Sequence, residues 1–125
     1  MNYNLTLYGD VPSKKNSKRR IKRGTHIFMV PSAAHEAWHA VAMLEVRQQW
    51  KGKQMLPGAK EIVLTFYPKT HRRADSTNKG ESVMDLLVDA GIIPDDNWFV
   101  VPRTVCQLGG VDHEKPRVEI NIKKI

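Results

Sequence analysis

The sequence predicts an α+β fold in which two helices pack on a mixed sheet, with the elements in the order β-α-β-α-β-β. Four segments have the alternation or the composition of strands, two carry apolar residues at helical spacing, and the two kinds are interleaved along the chain. At 125 residues the chain is long enough for one hydrophobic core and too short for two. We therefore expect residues 1–125 to form a single domain.

The first strand is predicted in "NYNLTLYG", where Tyr3, Leu5 and Leu7 alternate with polar residues. The first helix is predicted in "PSAAHEAWHAVAMLEVRQQW", where Ser32 has the position and the side chain of an N-cap. Its apolar face is expected to comprise the residues that recur at helical spacing, which are Ala34, Ala37, Trp38, Val41 and Leu44.

The second strand is predicted in "KEIVLTFYP", in which Ile62, Leu64 and Phe66 alternate and Pro68 ends the run. The second helix is predicted in "NKGESVMDLLVDAG", with Gly91 expected as its C-cap. The residues that this helix buries are expected to be Val83, Leu86, Leu87 and Ala90.

Two strands are predicted after the second helix. In "WFVVPRTVCQL" the presence of Pro102 indicates an edge strand or a bulge, and Cys106 is expected to be buried. The last strand, "RVEINIKKI", alternates Val118, Ile120 and Ile122 with polar residues.

The charge of the chain favours a polyanionic partner. Lys and Arg total 20 against 13 Asp and Glu, so the formal net charge is +7, which fits nucleic acid better than an anionic membrane. A basic surface without any partner is the alternative. No apolar run approaches the roughly 18–20 residues of a membrane span, the N-terminus lacks the pattern of a signal peptide, and one cysteine excludes an internal disulfide. We expect a cytoplasmic protein that does not associate with a membrane.

Two basic segments are candidates for binding a nucleic acid. The first has no apolar periodicity and is predicted to be a loop or hairpin; its candidate residues are Lys14, Lys15, Asn16, Lys18, Arg19, Arg20, Lys22 and Arg23. The second, "KTHRRAD", contains Arg72 and Arg73 and comes directly before an acidic region.

The acidic region surrounds the second helix. Glu81, Asp85 and Asp89 have the spacing i, i+4, i+8, which places three carboxylates in one stripe whose mutual repulsion must be offset. Asp75 comes before the helix and Asp96 after it, and they approach the stripe if the next strand pairs with "KEIVLTF". Carboxylates bind hard divalent cations, and a carboxylate–metal site beside Lys and Arg suits the cleavage of a phosphodiester. We expect folding to gather these acids into one cation pocket.

The same acids also have purely structural interpretations. Glu81 has the spacing of a capping-box residue with Asn78 as N-cap, a role compatible with metal binding. Asp95 and Asp96 follow Pro94 and are plausible turn residues, and Asp89 is expected to be solvated.

A different chemistry is indicated by "HEAWH", residues 35–39, which matches the zinc-protease pattern H-E-x-x-H on a predicted helix. In that pattern His35 and His39 bind zinc and Glu36 acts as the base. The chain offers no obvious third ligand, since His26, His71 and His113 fall in unrelated settings. A helix face with partly exposed histidines is the favoured interpretation.

The stretch "RRADSTNKGESVMDLLVDAGIIPDDNW" resembles the RusA family of Holliday junction resolvases. That family has an Arg-rich approach, the pattern D-x-D-N-x-x-K, an apolar helix with an internal Asp, an A-G pair and a D-D pair. Matching residues are present here without a gap: Arg72, Arg73, Asp75, Asn78, Asp85, Ala90, Gly91, Asp95 and Asp96. The N-terminal "VPSKKNSKRR" is similar to the family's basic segment through Pro12, Ser13 and Asn16.

The resemblance implies a homodimeric endonuclease that uses Mg²⁺, with Mn²⁺ as an alternative, to resolve four-way DNA junctions in recombination and repair. Asp75 and Asp96 are then the principal metal ligands, with Asp85 in a supporting position. The residues from Lys14 to Arg23, together with Arg72 and Arg73, are expected to contact phosphates, and two-fold symmetry suits paired incisions.

Two positions depart from the family pattern. Thr77 stands where the family has its second Asp, and Glu81 stands where it has Lys. We expect Glu81 to replace the missing ligand, which gives the metal set Asp75, Glu81 and Asp96, and Lys79 to supply the missing positive charge. The alternative is a degenerate site in a protein that binds junctions without cutting them.

Overall fold

The computed structural model of the protein describes residues 2–13 and 18–125, without the side chains of Lys18, Arg19 and Pro31. Its elements are β1 (Asn2–Tyr8), β2 (Lys18–Arg23), β3 (His26–Pro31), α1 (Ala33–Trp50), β4 (Lys60–Tyr67), α2 (Ser76–Asp89), β5 (Arg103–Leu108) and β6 (Arg117–Lys124). The α+β class is confirmed, and so is each of the six expected elements. The strands β2 and β3 are additional.

Four strands form the central sheet in the order β1-β6-β4-β5. β1 and β4 are both antiparallel to β6, whereas β4 and β5 are parallel, so the sheet is mixed as expected. β5 lies at an edge, which agrees with Pro102 just before it. The alternating apolar residues of neighbouring strands meet in rows across the sheet, as in the row that contains Leu5, Ile120 and Leu64.

The two faces of this sheet differ in polarity because side chains alternate along each strand. One face carries the buried residues and joins both helices in a single core. The other face is polar and partly exposed, with side-chain hydrogen bonds across the strands: Gln107 donates to Thr65 at 2.9 Å, and Asn121 donates to Asn4 at 2.9 Å.

Helix α1 covers the free edge of β1. Ser32 is its N-cap, as predicted, and accepts a hydrogen bond from the His35 N–H. The Gln49 amide accepts from the Thr6 N–H and donates to the Thr6 C=O, both at 2.7 Å, which satisfies an edge-strand residue that has no neighbouring strand on that side.

The predicted apolar face of α1 is wrong for most of its residues, although the partly buried Trp38 packs against the core. The buried residues are Ala42, Val46 and Trp50, whereas Val41 and Leu44 are exposed. Apolar residues occur on several sides of this helix, so their spacing alone did not identify the side that meets the sheet.

Helix α2 is the more deeply packed of the two helices. Val83, Leu86 and Leu87 are fully buried, as predicted, whereas Ala90 is only partly buried. The C-cap is Ala90 and not Gly91, which follows it with a φ of 74°. The connection β4-α2-β5 is a crossover between parallel strands, so α2 runs opposite to both strands.

The hairpin β2–β3 forms a separate two-stranded sheet. Its turn residue Gly24 has a φ of 61°, a conformation that favours glycine. The sequence allowed a hairpin in the basic segment but did not predict β3, whose residues Ile27, Phe28 and Met29 are largely exposed. No helix in the described part of the chain is long and apolar enough to cross a membrane.

The close contact between α2 and β5 requires a glycine at position 80. A Cβ atom added at Gly80 would lie 2.6 Å from the Cys106 Sγ. We expect Gly80→Ala to lower the free energy of unfolding by about 1–3 kcal/mol through overpacking, as measured by urea denaturation.

The double variant Gly80→Ala/Cys106→Ala is the control for this prediction. Removing the sulfur frees space for the added methyl group. The loss of unfolding free energy in the double variant should therefore be smaller than the two single losses added together. Equal stability of Gly80→Ala and the native chain would show that the contact is not tight.

Candidate active-site groove

A groove of about 750 Å³ lies at the carboxyl ends of β4 and β5. Its walls are the segment 9–13 that follows β1, the segment 66–76 that leads from β4 to α2, and residues near the end of β5. Both Asp75 and the predicted phosphate-binding residues Arg72 and Arg73 line it. The second basic segment and one predicted metal ligand therefore share one concave surface.

The groove is predominantly basic. Lys69, Arg72, Arg73, Lys79 and Arg117 line it, together with two acids, Asp10 and Asp75. Arg117 is tied to the protein, since it pairs with Asp112 at 2.9 Å and Glu119 at 2.8 Å and lies 3.9 Å from the centre of the Tyr67 ring. The other four cations form no ion pair with any residue in the described ranges, so they are available to an anionic ligand.

Asp75 is the N-cap of α2. Its Oδ1 accepts hydrogen bonds from the Thr77 N–H at 3.0 Å and from the Thr77 hydroxyl at 2.6 Å, and its Oδ2 accepts from the Asn78 side chain at 3.3 Å. The capping box proposed for Asn78 and Glu81 is therefore wrong, because the helix begins three residues earlier than that interpretation requires. Thr77 therefore holds the Asp75 carboxylate in place.

Asp96 lies in the turn after α2, next to two other carboxylates. The pKa of Asp96 is raised first by partial burial of its carboxyl group, then by a hydrogen bond with Asp95, and further by the negative charges of Asp85 and Asp95. The pKa of Asp95 is lowered by hydrogen bonds from the Asn97 side chain and the Asp96 N–H, at 2.9 and 2.7 Å. The negative charge of Asp85 therefore acts on Asp96. Local hydrogen bonds define the turn, as expected.

Asp75 and Asp96 lie towards opposite ends of α2. Ten residues separate Asp75 from Asp85, which is about 15 Å along a helix axis, and it is Asp85 that acts on Asp96. The segment that contains Asp96 is held near the start of β4, where the Lys60 N–H donates to the Val100 C=O, whereas Asp75 lies beyond the end of β4. These contacts favour a separation of the two acids within one chain, and a site that contains both stays a prediction.

Glu81 is exposed on α2 and does not line the groove. It is six residues from Asp75 rather than one turn, so it faces a different side of the helix. Among the described residues no three His, Cys, Asp or Glu side chains form a group that could hold a metal ion. The expectation that Asp75, Glu81 and Asp96 share one pocket is not met within a single chain.

The first basic segment is only partly described. Lys14, Lys15 and Asn16 lie outside the described residues, and Lys18 and Arg19 belong to β2 without described side chains. Arg20, Lys22 and Arg23 are exposed on β2. Their role in binding a nucleic acid stays a prediction.

The H-E-x-x-H residues lie on α1, as predicted, but away from any metal-binding group in the described ranges. The rings of His35 and His39 are stacked at 6.4 Å, and the His39 Nε2 lies 2.9 Å from the Asp89 Oδ2. Asp89 is therefore a partner for α1 and not merely a solvated side chain. This arrangement joins the two helices and supports the structural interpretation of the histidines.

Some groove residues were not named as candidate site residues. Lys69 lies in the predicted basic segment "KTHRRAD", of which only Arg72 and Arg73 were named. Arg117 begins a predicted strand, where charge alone carries little information. The Ser13 hydroxyl lines the groove and is buried without a hydrogen-bond partner among the described residues. In the sequence, the only signal for Ser13 was its place in the P-S pattern. The missing partner is notable because a buried hydroxyl normally has one.

A small α+β domain with a basic groove and a carboxylate at its base has the parts of an enzyme that acts on a polyanion. The family model for endodeoxyribonuclease RusA matches residues 10–123, and the chain belongs to that family of nucleases acting on DNA. A relative in Aquifex aeolicus (strain VF5), the crossover junction endodeoxyribonuclease RusA, is 28% identical over 102 residues, which is 81% of this chain and 79% of that protein.

The cap role of Asp75 predicts that stability depends on whether residue 75 keeps a capping oxygen. Asp75→Ala removes the cap and should lower the free energy of unfolding by about 0.5–2 kcal/mol, because the N–H of Thr77 loses its acceptor. Asp75→Asn keeps a capping oxygen and should retain stability within a few tenths of a kcal/mol. Urea denaturation measures both, and a large loss in Asp75→Asn would contradict the assignment.

Proposed function

We propose that this chain is a divalent-metal-dependent endonuclease that resolves four-way DNA junctions, working as a homodimer in recombination and repair. The groove carries this proposal, because Lys69, Arg72 and Arg73 line it together with Asp75 and have no ion-pair partner in the described ranges. Cations of this kind bind phosphates without regard to sequence, which suits a substrate defined by its shape.

The acids fit a hard cation by their chemistry. Asp75, Asp85 and Asp96 offer only oxygen ligands, and Mg²⁺ is commonly held by one or two carboxylates while water and phosphate complete its coordination. The charges that raise the pKa of Asp96 are all negative, so a cation would relieve their repulsion. A bound divalent cation supplies an activated water and neutralises the charge that develops on the phosphate.

The proposed ligands are Asp75 and Asp96, with Asp85 in support and Glu81 as the candidate third ligand. Mg²⁺ is the proposed ion and Mn²⁺ an alternative with the same ligand preference. The chain's own contribution is positional. Thr77 and Asn78 orient the Asp75 carboxylate through hydrogen bonds, and Lys79 lines the groove, where it can balance charge in place of the family's Lys.

The separation of Asp75 from Asp96 favours a site built from two chains. Asp85, whose charge acts on Asp96, lies about 15 Å along the helix axis from Asp75, which is too far for one ion to contact both ends of that span. A two-fold dimer can place the Asp96 turn of one chain beside the groove of its partner, and symmetry then creates two such sites. Two sites related by a two-fold axis match the paired incisions that a four-way junction requires.

A synthetic four-way junction tests the proposed activity. We expect nicking in Mg²⁺ or Mn²⁺ that falls by at least about 100-fold in Asp96→Asn, because even outer-shell partners of metal ligands contribute 10- to 100-fold. Junction binding by this variant, measured by gel shift, should be retained.

The controls address the alternative of a non-catalytic junction-binding protein, which the two family departures, Thr77 and Glu81, favour. Tight binding by the native chain without cleavage in either metal would establish that alternative. Glu81→Gln is the matched variant for the third ligand: lost nicking assigns it to the metal, and unchanged nicking removes it from the site.

Mixing two inactive variants tests the two-chain site. Asp75→Asn and Asp96→Asn chains are refolded together, so that mixed dimers contain one site with both native acids and one site with neither. We expect nicking to return to about one quarter of the native rate, since half of the dimers are mixed and each has one intact site.

Each variant refolded alone is the control and should stay inactive. If native mass spectrometry shows mixed dimers and nicking does not return, the two acids act within one chain.

A further inference from the structure

Two aromatic side chains project from the turn that carries Asp96. Trp98 is 76% exposed and Phe99 is 83% exposed, although both are large and apolar. Burial of such rings normally stabilises a protein, so two consecutive exposed rings indicate a contact made with another molecule.

The turn holds these rings in a defined position. The Asn97 side-chain oxygen accepts hydrogen bonds from the Phe99 and Val100 N–H groups at 3.0 and 3.1 Å, and the Asn97 C=O accepts from the Val101 N–H at 2.8 Å. Val101 is buried in the core and anchors the end of the turn. The exposure of the two rings is therefore built into the backbone of the turn.

The geometry of the pair suits stacking. The two rings lie 6.2 Å apart at 87°, so the edge of one supports the face of the other. This leaves open ring surface directed away from the pair. A planar aromatic partner can stack there, which is how proteins bind unpaired bases without regard to sequence.

We propose that Trp98 and Phe99 form a base-stacking wedge that receives an unstacked base beside the phosphate to be cut. This inference rests on the proposed function, because Trp98 is two residues from Asp96, at most about 7 Å between their Cα atoms. The pair therefore accompanies Asp96 to the reacting phosphate whether the metal site is built from one chain or from two.

Charge and position favour a nucleic-acid base over a second copy of this chain. The chain has a net charge of +7 and a groove rich in cations, both of which suit a DNA backbone close by. Exposed aliphatic residues suited to a contact with a second copy also occur away from this turn, on α1, β3 and β5. Bases at a branch point have lost a pairing or stacking neighbour, which makes them the least costly to unstack.

The test compares the binding of a four-way junction with that of a linear duplex of equal length. Fluorescence anisotropy is measured in Ca²⁺ in place of Mg²⁺, so that binding is measured separately from cleavage. Because one stacked base is lost, Trp98→Ala should bind the junction roughly 5- to 150-fold more weakly and the duplex less than about twofold more weakly.

Three further variants make the comparison specific. Trp98→Phe keeps an aromatic face and should recover most of the affinity, whereas Trp98→Leu keeps apolar bulk and should not. Tyr8→Ala removes an exposed aromatic residue from β1 and should bind as the native chain does. Circular dichroism confirms that each variant is folded.

The proposal is overturned if Trp98→Ala weakens the binding of both DNAs equally or the binding of neither. It is also overturned if the native chain does not bind the junction more tightly than the duplex. Sedimentation measurements provide a separate check, since conversion of a dimer to a monomer by Trp98→Ala would assign the pair to a second copy. A native chain that prefers the junction through Trp98 but never cuts it would refute the proposed function alone.

Discussion

The parallel pairing of β4 with β5 determines where every candidate catalytic acid lies, because a parallel pair requires a crossover and here that crossover is α2. The helix must run back along the sheet, so the acids at its two ends are carried apart. The contact that seats the helix is at Gly80, where only hydrogen stands between the α2 backbone and Cys106. A close-packed crossover of this kind leaves little freedom to bring the ends of α2 together within one chain.

The same crossover makes Asp75 both a structural and a chemical residue. As N-cap it satisfies backbone groups at the start of α2, and as a groove residue it presents a carboxylate among cations. Carboxylates at helix N-termini are stabilised by the helix dipole, which helps a charged group to remain there. Thr77 strengthens this arrangement, because its hydroxyl donates a hydrogen bond to the Asp75 carboxylate.

The basic residues of the groove fall into two groups with different physical roles. Arg117 is held by two carboxylates and an aromatic ring, so it shapes the wall next to Tyr67. Lys69, Arg72, Arg73 and Lys79 have no such partners in the described ranges, and their charge extends into the groove. Part of the net charge of +7 is therefore concentrated at the surface where a polyanion would lie.

Period-2 alternation predicted β1, β4 and β6 and their buried residues, because a strand between a core and a polar face repeats every second residue. The spacing of the RusA-like residues predicted the family, since each local pattern is readable without knowing its neighbours in space. Tertiary structure decided which side of α1 is buried, added the exposed strand β3, and made Asp85, rather than Asp75, the acid whose charge raises the pKa of Asp96. These outcomes depend on how a helix is seated on a sheet, which is a property of contacts between distant segments that no local spacing encodes.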